Sequence, residues 1–102
     1  DRAGGDPAEI IMFLLELIIQ EYSIAITDGR IADIGEYQDA YGFHLVAMMH
    51  AKKLPEEIRS KVTKSLSDLG SLWMDGPKPV KNPTSKDLMI ASVNSIMDLL
   101  DQ

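Results

Sequence analysis

The sequence predicts an all-α fold, an antiparallel up-down four-helix bundle formed by one domain over residues 1–102. Apolar residues recur at spacings of three and four in four segments, which is the period of an amphipathic helix. Glycine and proline separate these segments by short connections, as is typical of an up-down bundle. The predicted helices span residues 7–27, 34–52, 55–74 and 85–101, after a flexible lead-in over residues 1–5.

The first helix has signals at both ends. Asp6 suits an N-cap, Pro7 occupies the first helical position, and Glu9 completes the spacing of a capping box. Asp28 and Gly29 end the pattern, because glycine readily adopts the left-handed conformation that closes a helix. An Asp-Gly pair is also a hairpin signal, so a tiny hairpin of SIAI and RIAD is the alternative. Helix, turn, helix is the favoured interpretation.

Residues 10–19 are apolar around almost the whole helix, with only a narrow polar stripe at Glu9, Glu16 and Gln20. A helix of this kind is usually covered on more than one side. Three partner helices in so small a domain leave part of it open, so we predict a possible homodimer through residues 10–19. The run is too short and too charged to span a bilayer, which needs about 20 apolar residues.

Signals at the N-termini and apolar faces at helical spacing predict the other three helices. Asp33 and Glu36 have capping-box spacing and start the second helix, and Thr84, supported by Asp87, is the predicted N-cap of the fourth. Pro55 opens the third, and residues 75–84 form a long proline-rich loop. The predicted apolar faces are Ile34, Tyr37, Ala40, Tyr41, Leu45, Met48 and Met49 in the second helix, Ile58, Val62, Leu66, Leu69 and Trp73 in the third, and Met89, Val93, Ile96, Met97 and Leu100 in the fourth.

Composition excludes several classes of function. The net charge of −6 argues against binding nucleic acid or an anionic membrane surface. The first 51 residues carry two arginines against nine acids, so that half is the place where a cation or a basic partner would bind. The alternative is two solvated faces of different charge. There is no cysteine, so thiolate metal sites and Cys nucleophiles are excluded. No nucleophile elbow or glycine-rich phosphate loop occurs, and we predict that the chain is not an enzyme.

Acidic residues gather around the turn between the first two helices. Glu21, Asp28, Glu36 and Asp39 are the candidate metal ligands, because carboxylate oxygens suit iron and other hard cations. Their spacing differs from that of a calcium-binding loop, and the chain has no Glu-x-x-His pair of a di-iron bundle. The alternative is structural, since a turn and a cap account for Asp28 and Glu36 without any metal.

Four further side chains are candidates for contact with a ligand or partner: Tyr22, Tyr37, Tyr41 and His44. The two tyrosines that flank the turn are expected to pack against each other's helices, with hydroxyls reaching water or the turn backbone. His44 is expected to be partly buried and hydrogen-bonded. If Glu16 faces inward, it needs a partner such as His44, because an unpaired buried carboxylate is costly.

One stretch resembles the extracytoplasmic helical region of bacterial iron permeases of the oxidase-coupled, high-affinity type, clearly over residues 10–50. The shared pattern is Tyr22-x-x-Ala25-Ile26-x-Asp28-Gly29-x-Ile31-x-Asp33-x-x-Glu36-Tyr37-x-Asp39. The Arg-Glu-x-x-Glu transport motif and the membrane part of those proteins are absent from this sequence, so iron permeation is not carried over. The resemblance implies a periplasmic helical module associated with iron or other metal handling.

Two functional hypotheses follow. The first is a soluble, non-catalytic, periplasmic binding or accessory module, linked to iron or another divalent cation and to a protein partner at the membrane. The alternative is a dimeric protein-interaction or regulatory domain with no role in metal handling. A less favoured third hypothesis is a small-ligand pocket near Tyr41 and His44.

Overall fold

The computed structural model describes residues 5–101. It contains four helices and one hairpin, whose two strands have two residues each. The helices are α1 (Pro7–Ala25), α2 (Ile34–Ala51), α3 (Glu56–Gly70) and α4 (Lys86–Leu100), and a 3₁₀ turn at Ser71–Trp73 extends α3. They pack in the order in which they follow one another, with α4 also against α1. The predicted all-α, up-down bundle is confirmed. Residues 1–4 of the predicted lead-in lie outside the described residues.

The connection between α1 and α2 corrects the favoured interpretation. The helix ends at Ala25, and β1 (Ile26–Thr27) pairs antiparallel with β2 (Arg30–Ile31). Asp28 and Gly29 both have positive φ, at 53° and 75°. This is the conformation of the hairpin turn that an Asp-Gly pair favours, so the chain reverses in two residues. The predicted helix to residue 27 was therefore wrong, and the hairpin alternative describes this segment.

The predicted caps of the first two helices are present. An oxygen of the Asp6 side chain accepts a hydrogen bond from the Ala8 amide at 3.0 Å, with Pro7 in the first turn. The Asp33 carboxylate likewise accepts from the Glu36 amide at 3.1 Å. Each bond satisfies an amide that has no partner within the helix.

The predicted cap of α4 is wrong by one residue. Ser85, not Thr84, accepts the hydrogen bond from the Leu88 amide, at 3.2 Å. Thr84 is buried instead, and its hydroxyl donates to the Leu72 carbonyl at 2.7 Å. Both residues can cap a helix, but only one of them precedes the first helical residue. The Thr84 hydroxyl instead anchors the end of the long loop to the 3₁₀ turn that follows α3.

Alanines occupy much of the buried face of α2, and several of the large apolar residues predicted for that face are exposed. Ala40, Ala47 and Ala51 are fully buried. In contrast, Leu45 and Met49 are 46% and 64% exposed, and Ile34 is also exposed. Tyr37 and Ala40 of the predicted face are buried as expected, and the buried face continues from them through His44 to Ala47 and Ala51. The predicted faces of α3 and α4 hold better, since Val62, Leu66, Leu69 and Trp73 and then Met89, Val93 and Ile96 are buried.

The bundle covers much of the apolar run in α1. Ile11, Leu14, Leu15 and Ile18 are buried, whereas Phe13 is 60% exposed. Glu16 is exposed and needs no buried partner. The homodimer through residues 10–19 stays a prediction, but its surface shrinks to Phe13 and half-buried neighbours. None of the helices within residues 5–101 combines the length and the hydropathy required to cross a membrane.

Candidate cation site

The hairpin sets the register in which α1 and α2 face each other. It pairs Ile26 with Ile31, so the end of α1 and the start of α2 run antiparallel on either side of the turn. The dipeptide Glu-Tyr occurs once on each side, as Glu21-Tyr22 and Glu36-Tyr37. The Tyr22 and Tyr37 ring centroids lie 5.8 Å apart in the core. Each glutamate next to them therefore lies at the mouth of the same seam.

Three of the four predicted metal ligands come together there. Glu21, Glu36 and Asp39 each offer a carboxylate oxygen, and these oxygens all lie within 4.8 Å of one another. Glu21 and Glu36 are half-buried, and Asp39 is exposed one helical turn after Glu36. We call these three residues the carboxylate cluster. It opens to solvent, so a cation can enter without any change in the fold.

The closeness of the carboxyl groups raises the pKa of one member of the cluster. The pKa of Glu36 rises from 4.5 to about 7. The largest cause is a side-chain hydrogen bond with Glu21, followed by loss of solvation and by the negative charges of Glu21, Asp33 and Asp39. A carboxyl group that shares a proton with its neighbour holds the two oxygens together without a metal. A divalent cation placed between them would displace that proton.

The geometry of the cluster fits a hard cation. Oxygen ligands at 2.0–2.6 Å from Mg²⁺ or Ca²⁺ lie about 3–5 Å from each other in ordinary coordination shells. The oxygens of the cluster already meet that spacing. The cluster contains neither histidine nor cysteine, so its donor set favours hard cations over copper(I) or a structural zinc. Three protein ligands leave other positions to water, which is typical of exchangeable binding.

Asp28, the fourth predicted ligand, lies outside the cluster. It occupies the tip of the hairpin and borders a shallow depression with Gly29, Ser85, Lys86 and Asp87. Its positive φ assigns it a structural part in the turn, because aspartate tolerates the left-handed conformation better than most residues. Asp28 is therefore close to Glu21 and Glu36 in the sequence, but its carboxylate is not part of their cluster.

The hydroxyls of Tyr22 and Tyr37 correct the expectation that they reach water or the turn. Both residues are buried, at 1% and 0% exposed. The Tyr22 hydroxyl donates to the Thr84 carbonyl at 2.6 Å, and the Tyr37 hydroxyl donates to the Trp73 carbonyl at 3.3 Å. Desolvation raises the pKa of both phenols. The two side chains thus fasten both ends of the long loop to α1 and α2, and a ligand contact would require them to become exposed.

The other two predicted contact residues pack around Trp73. Tyr41 is half-buried, with its ring 5.5 Å from Trp73, and the His44 ring lies 5.6 Å from Trp73. His44 is buried, as expected, and Nε2 donates to the Leu66 carbonyl at 2.7 Å. Burial lowers its pKa, so the imidazole is neutral at pH 7. A role for Tyr41 or His44 in ligand binding stays a prediction.

Gly70, which the helical pattern predicts to be only a tolerated weak point of the third helix, lies against the His44 ring. A Cβ atom added to Gly70 would lie 2.5 Å from Cε1 and 2.7 Å from Nε2 of that ring. A glycine inside an otherwise strong helical pattern was the only available signal, and such a glycine usually has a packing reason.

Comparison with known families gives one match. The model of the iron permease-associated 4-helix bundle domain matches residues 6–101, almost the whole chain. Comparisons with curated proteins and with solved structures returned no match. The match extends the resemblance noted for residues 10–50 over all four helices. The chain belongs to the family of iron permease-associated 4-helix bundle domains.

Proposed function

We propose that this domain is a non-catalytic, extracytoplasmic module that binds iron or another hard cation through the carboxylate cluster, as an accessory to an iron permease. The observation that carries the proposal is the convergence of Glu21, Glu36 and Asp39 within 4.8 Å. Family membership supplies the link to iron permeases. The chemistry is reversible binding, because the ligand set is small and open to solvent.

Exchangeable binding suits an accessory role. The cluster lies at the α1–α2 seam, where two buried tyrosines fix the backbone and the carboxylates themselves face water. Fixed ligands with free coordination positions allow a cation to be taken up and passed on without unfolding. A partner at the membrane, the permease itself, would accept the cation from this surface.

Calorimetric titration with Fe²⁺ under anaerobic conditions, and with Mn²⁺ as an air-stable substitute, tests the proposal. We expect Glu36→Gln to weaken cation binding at least about tenfold, because a neutral amide replaces a charged ligand of similar shape. Asp28→Asn is the matched control. It removes one acid from the same turn but none from the cluster, and asparagine tolerates the same backbone conformation, so affinity should stay unchanged. No binding at millimolar cation, or equal losses in both variants, would contradict the proposal.

The same titration repeated between pH 6 and pH 8 should show affinity rising with pH. Glu36 has a pKa of about 7, so the cation competes with a proton below that pH and meets a carboxylate above it. In Glu36→Gln the pH dependence over this interval should disappear together with most of the affinity. An affinity for the wild-type chain that does not change with pH would show that Glu36 titrates below pH 6 and that no proton on it competes with the cation.

A further inference from the structure

The outward face of α2 carries an apolar strip that no described part of the chain covers. Leu45, Val46 and Met49 are 46%, 39% and 64% exposed. Gly42 lies in the same strip, and a Cβ atom added there would meet nothing within 4 Å. These positions are separated by one, three or four residues, so they form one continuous surface along the helix. Clustered apolar side chains of this kind mark an interaction surface.

The two ends of the strip carry opposite charges. Asp39 is exposed at the N-terminal end, and Lys52 and Lys53 are exposed at the C-terminal end. A strip that is negative at one end and positive at the other is complementary to itself when turned end to end. In such an antiparallel pair, residues whose numbers sum to about 91 face each other across the two-fold axis.

We propose that residues 39–53 of α2 and its C-terminal turn pack against the same strip of a second copy, as an antiparallel homodimer. Asp39 then faces Lys53 of the second copy, and Leu45 of each copy meets Val46 of the other copy beside the axis. The open space at Gly42 receives Met49 of the second copy, the most exposed side chain of the strip. The interface lies on α2 and not on residues 10–19. The proposal does not depend on cation binding.

The size of the strip sets the strength of the dimer. The helical part of the strip, residues 39–51, is about 20 Å long. Two such strips bury less than the roughly 1,200 Å² that marks the lower end of standard stable interfaces. The dimer should therefore be weak, with a dissociation constant of micromolar order or above.

Sedimentation equilibrium over about 10 μM to about 1 mM protein, the range in which such a dimer forms, tests the proposal. EDTA in the buffer keeps cations away from Asp39. We expect Leu45→Glu to raise the dissociation constant at least about tenfold, because it places like charges beside the axis. Phe13→Glu is the matched control, since it puts the same charge on an exposed apolar residue of α1. It should leave the constant unchanged.

Charge exchange keeps the test decisive if Leu45→Glu fails to fold. Asp39→Lys and Lys53→Asp should each weaken the dimer about fivefold, because every dimer contains two such pairs. The double variant should recover most of the wild-type affinity. A chain that remains monomeric throughout, a dimer lost in Phe13→Glu but kept in Leu45→Glu, or a double variant without recovery would overturn the proposal.

Discussion

Replacing Gly70 with alanine is expected to lower the free energy of unfolding by about 1–3 kcal/mol, the usual cost of overpacking a core. The new methyl group would lie 2.5 Å from Cε1 of His44. The His44 ring cannot move aside easily, because its Nε2 donates to the Leu66 carbonyl at 2.7 Å and the Trp73 ring packs beside it. Urea unfolding followed by circular dichroism measures the change.

Gly42→Ala is the control for this prediction, since both glycines lie within helices. Nothing lies within 4 Å of an added Cβ at Gly42. Alanine there should raise the free energy of unfolding by about 0.5–1 kcal/mol through its better helix propensity. The comparison is made at concentrations at which the chain is monomeric. If both alanine variants stabilised the domain alike, the packing described around His44 would be incorrect.

Trp73→Ala should cost about 3–5 kcal/mol, the largest loss that we expect from any single truncation. Trp73 is completely buried at the centre of an aromatic cluster that it forms with Tyr22, Tyr41 and His44. Its ring meets Tyr22 and Tyr41 edge-to-face, with centroids 5.9 Å and 5.5 Å away. Such pairs add to the free energy gained from burial alone. A domain of ordinary stability, about 5–15 kcal/mol, would lose a large part of it.

Leu88→Ala is the matched truncation at a site that packs little. Leu88 is 52% exposed on α4, so its loss should change stability by no more than about 0.5 kcal/mol. Thermal and urea unfolding of both variants provide the comparison. A loss below about 1 kcal/mol for Trp73→Ala would mean that the aromatic cluster does not hold the long loop and the helices together.

Local signals predicted the parts of this fold that depend on a few neighbouring residues. Asp6 and Asp33 cap their helices as their spacing indicated. The face of α3 from Val62 to Trp73 is buried as its period indicated. These features follow from the period of a helix and from unsatisfied amides, which the sequence displays directly.

Features that depend on a facing element escaped prediction. Leu45 and Met49 have the spacing of core residues, but the alanines of α2 are buried instead. Periodicity gives more weight to large apolar residues and does not reveal which face meets a bulky partner. The hydroxyls of Tyr22 and Tyr37 reach carbonyls 62 and 36 residues away, contacts that no local pattern announces.

The candidate site was predictable in composition but not in geometry. Glu21, Glu36 and Asp39 were singled out for their charge and their place around the turn. Their convergence depends on the register set by the hairpin, and the favoured helix-turn-helix interpretation did not contain that hairpin. The same register leaves Asp28 at the tip, so one of four predicted ligands is separated from the rest.

The most direct test of the cation site is the titration of the Glu36 carboxyl carbon by ¹³C NMR, with and without Ca²⁺ as a diamagnetic hard cation. The account predicts a midpoint of about 7 without Ca²⁺. The midpoint should fall when millimolar Ca²⁺ is added. It should also move towards 4.5 in Glu21→Gln, which removes the carboxylate that accepts the hydrogen bond of the protonated Glu36, together with its negative charge. A midpoint near 4.5 in the wild-type chain, unaffected by Ca²⁺ and by the substitution, would contradict the carboxylate cluster as a cation site.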